Sequence, residues 1–201
     1  MIYKQYFKIY KMSLVSLVDN SRTDKNTSHS YLPLYDTLLS SRKDSAKNVL
    51  EIGVHTGGSI KLWHDYFLNA TVFGLDCNHI DSMWDEIKNN DRIKIYSSVD
   101  AYDHNFIQNQ FVKNSVRFDM VLDDGPHTLD SMKTFVATYS RLLTDDGILI
   151  LEDIPEWGWI DTLKDLVPTE LKSFVQTYDL RMNKGRWDDI VLVIDKRNPI
   201  L

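Results

Sequence analysis

The chain has 201 residues, 43% of them hydrophobic and 26% charged, with a formal net charge of −6. That is the balance of a globular domain with a sizeable core, and the acidic excess argues against a nucleic-acid partner, because phosphate binding needs a basic face. The one cysteine, Cys77, excludes an internal disulfide and is expected as a small, partly buried residue at a strand end.

No apolar run approaches the ~20 residues that span a bilayer, so no membrane span is expected and a cytoplasmic setting is the default. The opening "MIYKQYFKIYKMSLVSLV" mixes Lys4, Lys8 and Lys11 with tyrosines and lacks a small-residue cleavage site, so it does not read as a signal peptide. Residues 1–20 are expected to form an amphipathic helical arm that packs on the domain or on a second copy in a homo-oligomer. Residues 21–201 read as one domain, without repeats or a proline-rich linker.

Apolar runs and amphipathic stretches then alternate. "NVLEIG" (48–53) reads as a buried strand, followed by helical spacing over 59–68; "TVFGLD" (71–76) is a second strand, with a short helix over 82–89. "RIKIYSS" (92–98) is a third strand and "NFIQNQFV" (105–112) a helix. "FDMVLDD" (118–124) is a fourth strand, before a long helix over 128–143. "GILILED" (147–153) is the fifth strand, 159–167 a helix, and "KSFVQTYDL" (172–180) and "DDIVLVIDK" (188–196) close the chain as an antiparallel hairpin. Near-continuous apolar strands alternating with helices predict an α/β fold. It is a Rossmann-like, doubly wound, mostly parallel seven-stranded sheet with helices on both faces.

Such sheets bind ligands beyond the carboxyl ends of their strands. Those ends carry Glu51 to Gly58, Asp76, Ser97 to Asp100, Asp123 to His127, and Glu152 with Asp153. The three glycines of "LEIGVHTGGSI" allow close backbone approach to a ligand, although a tight strand–helix turn explains them as well. Glu51 precedes that turn, and Asp76 ends the second strand, where an acid can accept both hydroxyls of a cofactor ribose. Gly53, Gly57 and Gly58 miss the one-three-six spacing of a dinucleotide fingerprint, which favours S-adenosylmethionine over a dinucleotide. Asp123, Asp124 and His127 have a simpler alternative role as the capped start of the next helix.

"VLEIGVHTGGSIKLW", "VFGLDCN", "FDMVLDDGPH" and "GILILEDI" together resemble class I S-adenosylmethionine-dependent methyltransferases. With "RTDKNTSHSYLPLYDTLL", the chain is similar to the macrocin (TylF/MycE-like) O-methyltransferases of sugar hydroxyls and to related glycan methyltransferases, from about Arg22 to Ile154. The resemblance implies a magnesium site of Asp124, Glu152 and Asp153, with His127 as general base beside Asp124. It also implies that Asp76 binds the cofactor ribose, and that Thr23, Asp24, Lys25 and Tyr31 lie in a segment closing over the cofactor. Where the family usually carries Gly-Asp near the adenine, this chain has "SSVDAYD", leaving Ser98 and Asp100 as stand-ins. With Glu51, Gly53 and Gly57, they complete the expected cofactor contacts, and Asp123 keeps a supporting part.

Three carboxylates make a hard-ligand set suited to Mg²⁺ or a similar ion, which lowers the pKa of an acceptor hydroxyl. The expected activity is O-methylation of a sugar or glycan hydroxyl. Methylation of a catechol-like diol, and an inactive cofactor-binding module supporting a partner, remain as alternatives. Trp157 and Trp159 are expected either in the core or stacking on a sugar, and His55 either at the cofactor or exposed. Arg181, Lys184 and Arg186 are expected as solvated hairpin residues, with an anionic acceptor as their less favoured use.

Overall fold

The computed structural model describes residues 12–199. Seven strands form one sheet in the order β3-β2-β1-β4-β5-β7-β6. They are β1 (Asn48–Ile52), β2 (Thr71–Leu75), β3 (Ile93–Tyr96), β4 (Phe118–Asp123), β5 (Leu143–Leu151), β6 (Val175–Asp179) and β7 (Ile190–Asp195). β1 to β5 pair in parallel, and β7 runs antiparallel between β5 and β6. The chain steps outward from β1 to β2 and β3, then returns to place β4 on the other side of β1. That reversal opens the crevice in which doubly wound sheets bind ligands.

The helices are α1 (Leu14–Leu17), α2 (Tyr31–Leu39), α3 (Gly58–Tyr66), α4 (Asp85–Lys88), α5 (His104–Ile107), α6 (Leu129–Tyr139), α7 (Trp159–Leu166) and α8 (Arg181–Lys184). Strand residues alternate between two cores. Leu50, Val121, Leu149 and Leu192 face Phe111, Phe135 and Leu163 of the α5–α7 side. Val49, Met120, Ile150 and Val193 face Tyr35, Ile60 and Trp63 of the α2–α3 side. With both faces covered, every residue of β7 is buried, which explains the unbroken apolar run "IVLVI".

Residues 1–11 of the expected arm lie outside the described residues. Within the rest, Ser13 caps α1 through a reciprocal pair with Ser16, Leu14 is fully buried, and its amide donates to Asp36 Oδ1 at 2.7 Å. Helix α2 was not expected as an element. Its buried Tyr31, Leu32, Tyr35, Leu38 and Leu39 follow helical periodicity, the signal that could have revealed it. The region after α5 continues as a π-type turn over Gln108–Val112, and the β6–β7 connection holds the helical turn α8 in place of a plain loop. Cys77 is exposed, contrary to expectation, because Leu75 ends β2 and the chain turns outward two residues later. No helix among the described residues is long and apolar enough to cross a membrane.

Gly53 shows why the first glycine is needed. Its φ is +85°, and an added Cβ would lie 1.9 Å from the Asp124 carbonyl oxygen. The close approach it permits is therefore to the neighbouring strand end, whatever it also permits a ligand. Gly53→Ala is expected to cost more than about 3 kcal/mol, from left-handed strain plus the clash. Gly158, at φ −63° with nothing within 4 Å of its Cβ position, should accept alanine within about 0.5 kcal/mol. Urea unfolding followed by circular dichroism measures both, and equal stability of the two variants would refute the crowding argument.

Candidate active site

The parallel strands release their acids just past their last ladder bonds. The Asp124 amide still donates to Ile52 O at 2.9 Å and the Glu152 amide to Asp123 O at 3.3 Å, after which the chain leaves the sheet. His127 and Asp153 both have φ +53°, an unusual conformation for side-chain-bearing residues and one that concentrates at functional sites. The helix-cap alternative for the acids fails: Thr128 caps α6, in a reciprocal pair with Ser131.

Lys25 lies beneath the acids, 1% exposed, with its ammonium 2.6 Å from Asp124 Oδ2 and 3.4 Å from Glu51 Oε1, and hydrogen-bonded to Glu152 Oε1. Glu152 Oε2 accepts from the Tyr35 hydroxyl, and Asp153 Oδ1 from the Tyr31 hydroxyl. His29 Nδ1 lies 3.2 Å from the same Asp153 oxygen and 2.6 Å from Asp189 Oδ1. Glu51 Oε2 accepts from the Ser59 hydroxyl at 2.6 Å and the Trp63 indole at 3.0 Å. Both Glu152 oxygens are thus occupied by protein donors, whereas Asp124 and Asp153 each keep one oxygen facing His127 Nε2, at 3.3 and 3.6 Å. One donor atom each from Asp124, His127 and Asp153 lies within 4.8 Å of the other two. Asp124 and His127 are the accessible members, with 27% and 33% side-chain exposure.

Electrostatics follow from this sorting. Burial would lower the Lys25 pKa, but Asp124, Glu152 and Glu51 together hold it well above its ordinary value. Burial would raise Asp124, but the Lys25 charge and the His127 contact hold it below the usual carboxylate range. Burial pushes Glu152 well up, and raises Glu51 and Asp123 to about 7 each. Asp153 is raised by burial against the pull of Tyr31. For His127 and His29 burial opposes charge but is outweighed by the surrounding carboxylates; His29 reaches about 9.

Two cavities adjoin the acids. The larger, about 630 Å³, lies over the ends of β1 to β3, lined among others by Gly53, Asp76, Ser98, Asp100, Tyr102 and Asp124. Cys77 and His55 are also on its wall. Asp76 Oδ2 accepts the Val54 and His55 amides at 2.8 and 2.7 Å, and Oδ1 the Asn78 amide at 2.7 Å, so this acid pins the glycine turn while facing the cavity. A second cavity of about 330 Å³ separates Thr23 and Asp24 from the turn.

The predicted cofactor residues therefore divide. Gly53, Asp76, Ser98 and Asp100 wall the larger cavity, and Thr23 with Gly53 the smaller. Lys25, Tyr31 and Glu51 lie under the acids instead. Gly57 meets Ile87, 2.6 Å from where its Cβ would be. Asp123 is buried, holding the Tyr102 hydroxyl at 2.7 Å and the Gly125 amide at 3.0 Å on Oδ1, with Oδ2 unpartnered. His29, Tyr35 and Asp189 were not assigned roles from sequence, although His29 and Tyr35 share the motif of Lys25 and Tyr31.

The fold matches the mycinamicin-pathway methyltransferase MycE, solved with Mg, S-adenosylhomocysteine and mycinamycin VI, at a TM-score of 0.70 and 22% identity, over 92% of this chain and 55% of that one. The fold is that of the class I S-adenosylmethionine-dependent methyltransferases. In sequence, this methyltransferase-fold chain is 28% identical over 132 residues to the L-olivosyl-oleandolide 3-O-methyltransferase of Streptomyces antibioticus, covering 62% of this chain and 32% of that protein. It is 28% identical over 141 residues to the mycinamicin VI 2''-O-methyltransferase of Micromonospora griseorubida, covering 65% and 33%. The chain spans about a third of the length of these curated relatives. No protein-family model matches it.

Lys25→Met leaves Glu51, Asp124 and Glu152 without their buried cation and is expected to cost about 3–5 kcal/mol near neutral pH. The pH dependence has a definite sign. Carboxyl groups whose folded pKa lies above the unfolded value take up protons on folding, so their contribution is present at low pH and lost as pH rises. The Lys25→Met variant should therefore lose most stability from about pH 4.5 to above pH 7. Urea titrations across that range test this; a penalty that shrinks with rising pH would contradict it.

Proposed function

We propose that the chain is an S-adenosylmethionine-dependent O-methyltransferase acting on a sugar hydroxyl, with a divalent ion such as Mg²⁺ at the acid set. The observation that carries this reading is the meeting of His127 and Asp153 with Asp124, which itself lines the larger cavity. The curated relatives' sugar-methylating activities and the ligands named with MycE support it.

The residues fit both absent groups. A cavity of about 630 Å³ is within the range of small-molecule sites. Its floor of Ile52, Leu75, Val99 and Ala101 suits a flat apolar base, while Asp76 offers acceptor capacity to ribose hydroxyls. For the ion, Asp124 and Asp153 supply hard oxygen donors, while His127 Nε2, buried without a hydrogen-bond partner, is left to accept a proton. Glu152, expected as a third ligand, would have to give up Lys25 or Tyr35 to join them.

When bound, the cofactor supplies a methyl group already activated as a sulfonium, and the ion lowers the pKa of the acceptor hydroxyl. Asp124 and Asp153 orient that hydroxyl beside the cavity. His127 Nε2 takes its proton, and the two carboxylates stabilise the resulting imidazolium. Lys25, Tyr31 and Tyr35 hold the carboxylates in place, so that reorganisation during transfer is small.

Calorimetry should show S-adenosylhomocysteine binding and no comparable binding of NAD; the reverse order would sink the cofactor reading. His127→Ala is expected to keep the S-adenosylhomocysteine Kd within about twofold while lowering methyl transfer by roughly 100-fold or more. Asp153→Asn should abolish thermal stabilisation by Mn²⁺, and transfer that survives both this change and chelation would exclude the metal role. Assays with glycosides against catechols separate the two acceptor classes.

A further inference from the structure

The β6–β7 connection is held rigid yet presents its largest apolar groups to solvent. Lys184 donates to the carbonyls of Asn26, Thr27 and His29 at 2.6, 2.9 and 2.8 Å, and Asn183 to the Ser30 hydroxyl at 3.1 Å. Arg181 is closed in a two-pronged pair by Asp179 at 2.8 and 2.7 Å, and Arg186 donates to Asp188 at 2.9 Å. Arg181, Lys184 and Arg186 stay solvent-accessible, as expected, but each also has a partner within the protein. Met182 is nonetheless 93% exposed and Trp187 62%, and both line a cavity of about 320 Å³. Trp157, 48% exposed, stands 5.7 Å from the Arg181 guanidinium carbon. Trp159, by contrast, packs on the core.

We propose that Trp157, Met182 and Trp187 form the acceptor subsite of this methyltransferase fold and take the C–H face of a neutral pyranoside. The inference rests on the methyl-transfer reading of the acid set and adds where the acceptor's ring lies. Position supports it first. The donor-side cavity occupies the ends of β1 to β3, the acids stand past β4 and β5, and the aromatic surface follows on from β5 to β7. Asp188, which holds Arg186, has a carboxylate oxygen within 4.8 Å of donor atoms of His29, Asp153 and Asp189, so one layer of side chains joins the surface to the acids. Donor and acceptor must approach a reacting point from opposite sides, and this surface lies across the acids from the donor cavity.

Chemistry supports it second. Indole faces and a thioether offer broad, polarizable area to C–H groups, while Arg181 and Arg186 are already paired with Asp179 and Asp188. Size supports it third. A cavity of about 320 Å³ lined by Met182 and Trp187 together with Asp179, Arg181 and Arg186 is large enough for a sugar ring, whereas a stable protein contact needs roughly 1,000 Å² or more of buried surface.

The test is saturation-transfer NMR with a panel of neutral methyl pyranosides, a methyl glucuronide and catechol, on the full 201-residue chain saturated with S-adenosylhomocysteine. At least one neutral pyranoside should bind with its strongest transfer at ring C–H protons. The Trp157→Ala/Trp187→Ala variant should weaken that binding by roughly fivefold or more. Because both side chains are exposed, its melting temperature and S-adenosylhomocysteine affinity should match the parent. Pyranoside binding unchanged in the variant, absent altogether, or weaker than that of the glucuronide or catechol would overturn the subsite. So would a dimer in sedimentation that Trp187→Ala dissociates, since a second copy would then own the surface. Loss of S-adenosylhomocysteine binding by the parent chain would instead overturn the underlying transferase reading.

Discussion

One buried ammonium makes the carboxyl end of this sheet possible. Parallel strands deliver their ends to one side, and here β1, β4 and β5 bring Glu51, Asp124 and Glu152 to a common point. Like charges about 4 Å apart repel by about 4 kcal/mol at the effective dielectric typical of proteins, and burial adds to that cost. Lys25 lies among all three, and the hydroxyls of Tyr31 and Tyr35 satisfy further oxygens of Asp153 and Glu152. The segment from Lys25 to Tyr35 is therefore a foundation for the acids, and α2 exists where it does in order to carry its last two members.

The same contacts decide which acids can do chemistry. A carboxylate with both oxygens held by protein donors is a strut, and Glu152 is in that state. A carboxylate with one oxygen held and one facing outward is oriented but unspent, as Asp124 and Asp153 are. Two of the five non-glycine residues with left-handed backbone angles among the described residues, His127 and Asp153, meet in this open group. Strain of that kind persists only where neighbouring structure over-determines it, and the Tyr31 and His29 contacts to Asp153 supply the constraint.

The sheet was legible because burial on both faces writes itself as unbroken apolar runs, and the strand ends were legible because polar residues there have no core to join. The grouping of Asp124, Asp153 and His127 past the strand ends followed from that logic. What failed was anything set by long-range packing. Glu51, at a strand end, reads like a ligand-binding acid, but its outward neighbours are Ser59 and Trp63 of α3, which close over it. Gly57 reads like a ligand-contact glycine and is instead crowded by Ile87 from a later helix. Lys25 and Lys184 show the same limit. Lys25 reads in sequence as closing over the cofactor and Lys184 as solvated, and both find their partners roughly a hundred or more residues away.

That long-range pairing also ties the two sides of the site together. Within six residues, the loop before α2 offers the Lys25 side chain to the acids, the carbonyls of Asn26, Thr27 and His29 to Lys184, and the His29 ring to Asp153 and Asp189. Any shift of α8 must pull on the carbonyls flanking the residue that orients Asp153. A ring seated on Trp187 and Met182 would therefore press on an element already linked to the acids, without a flexible hinge between them. The rigidity that makes α8 a usable platform is the same rigidity that keeps Asp124 and Asp153 turned toward His127.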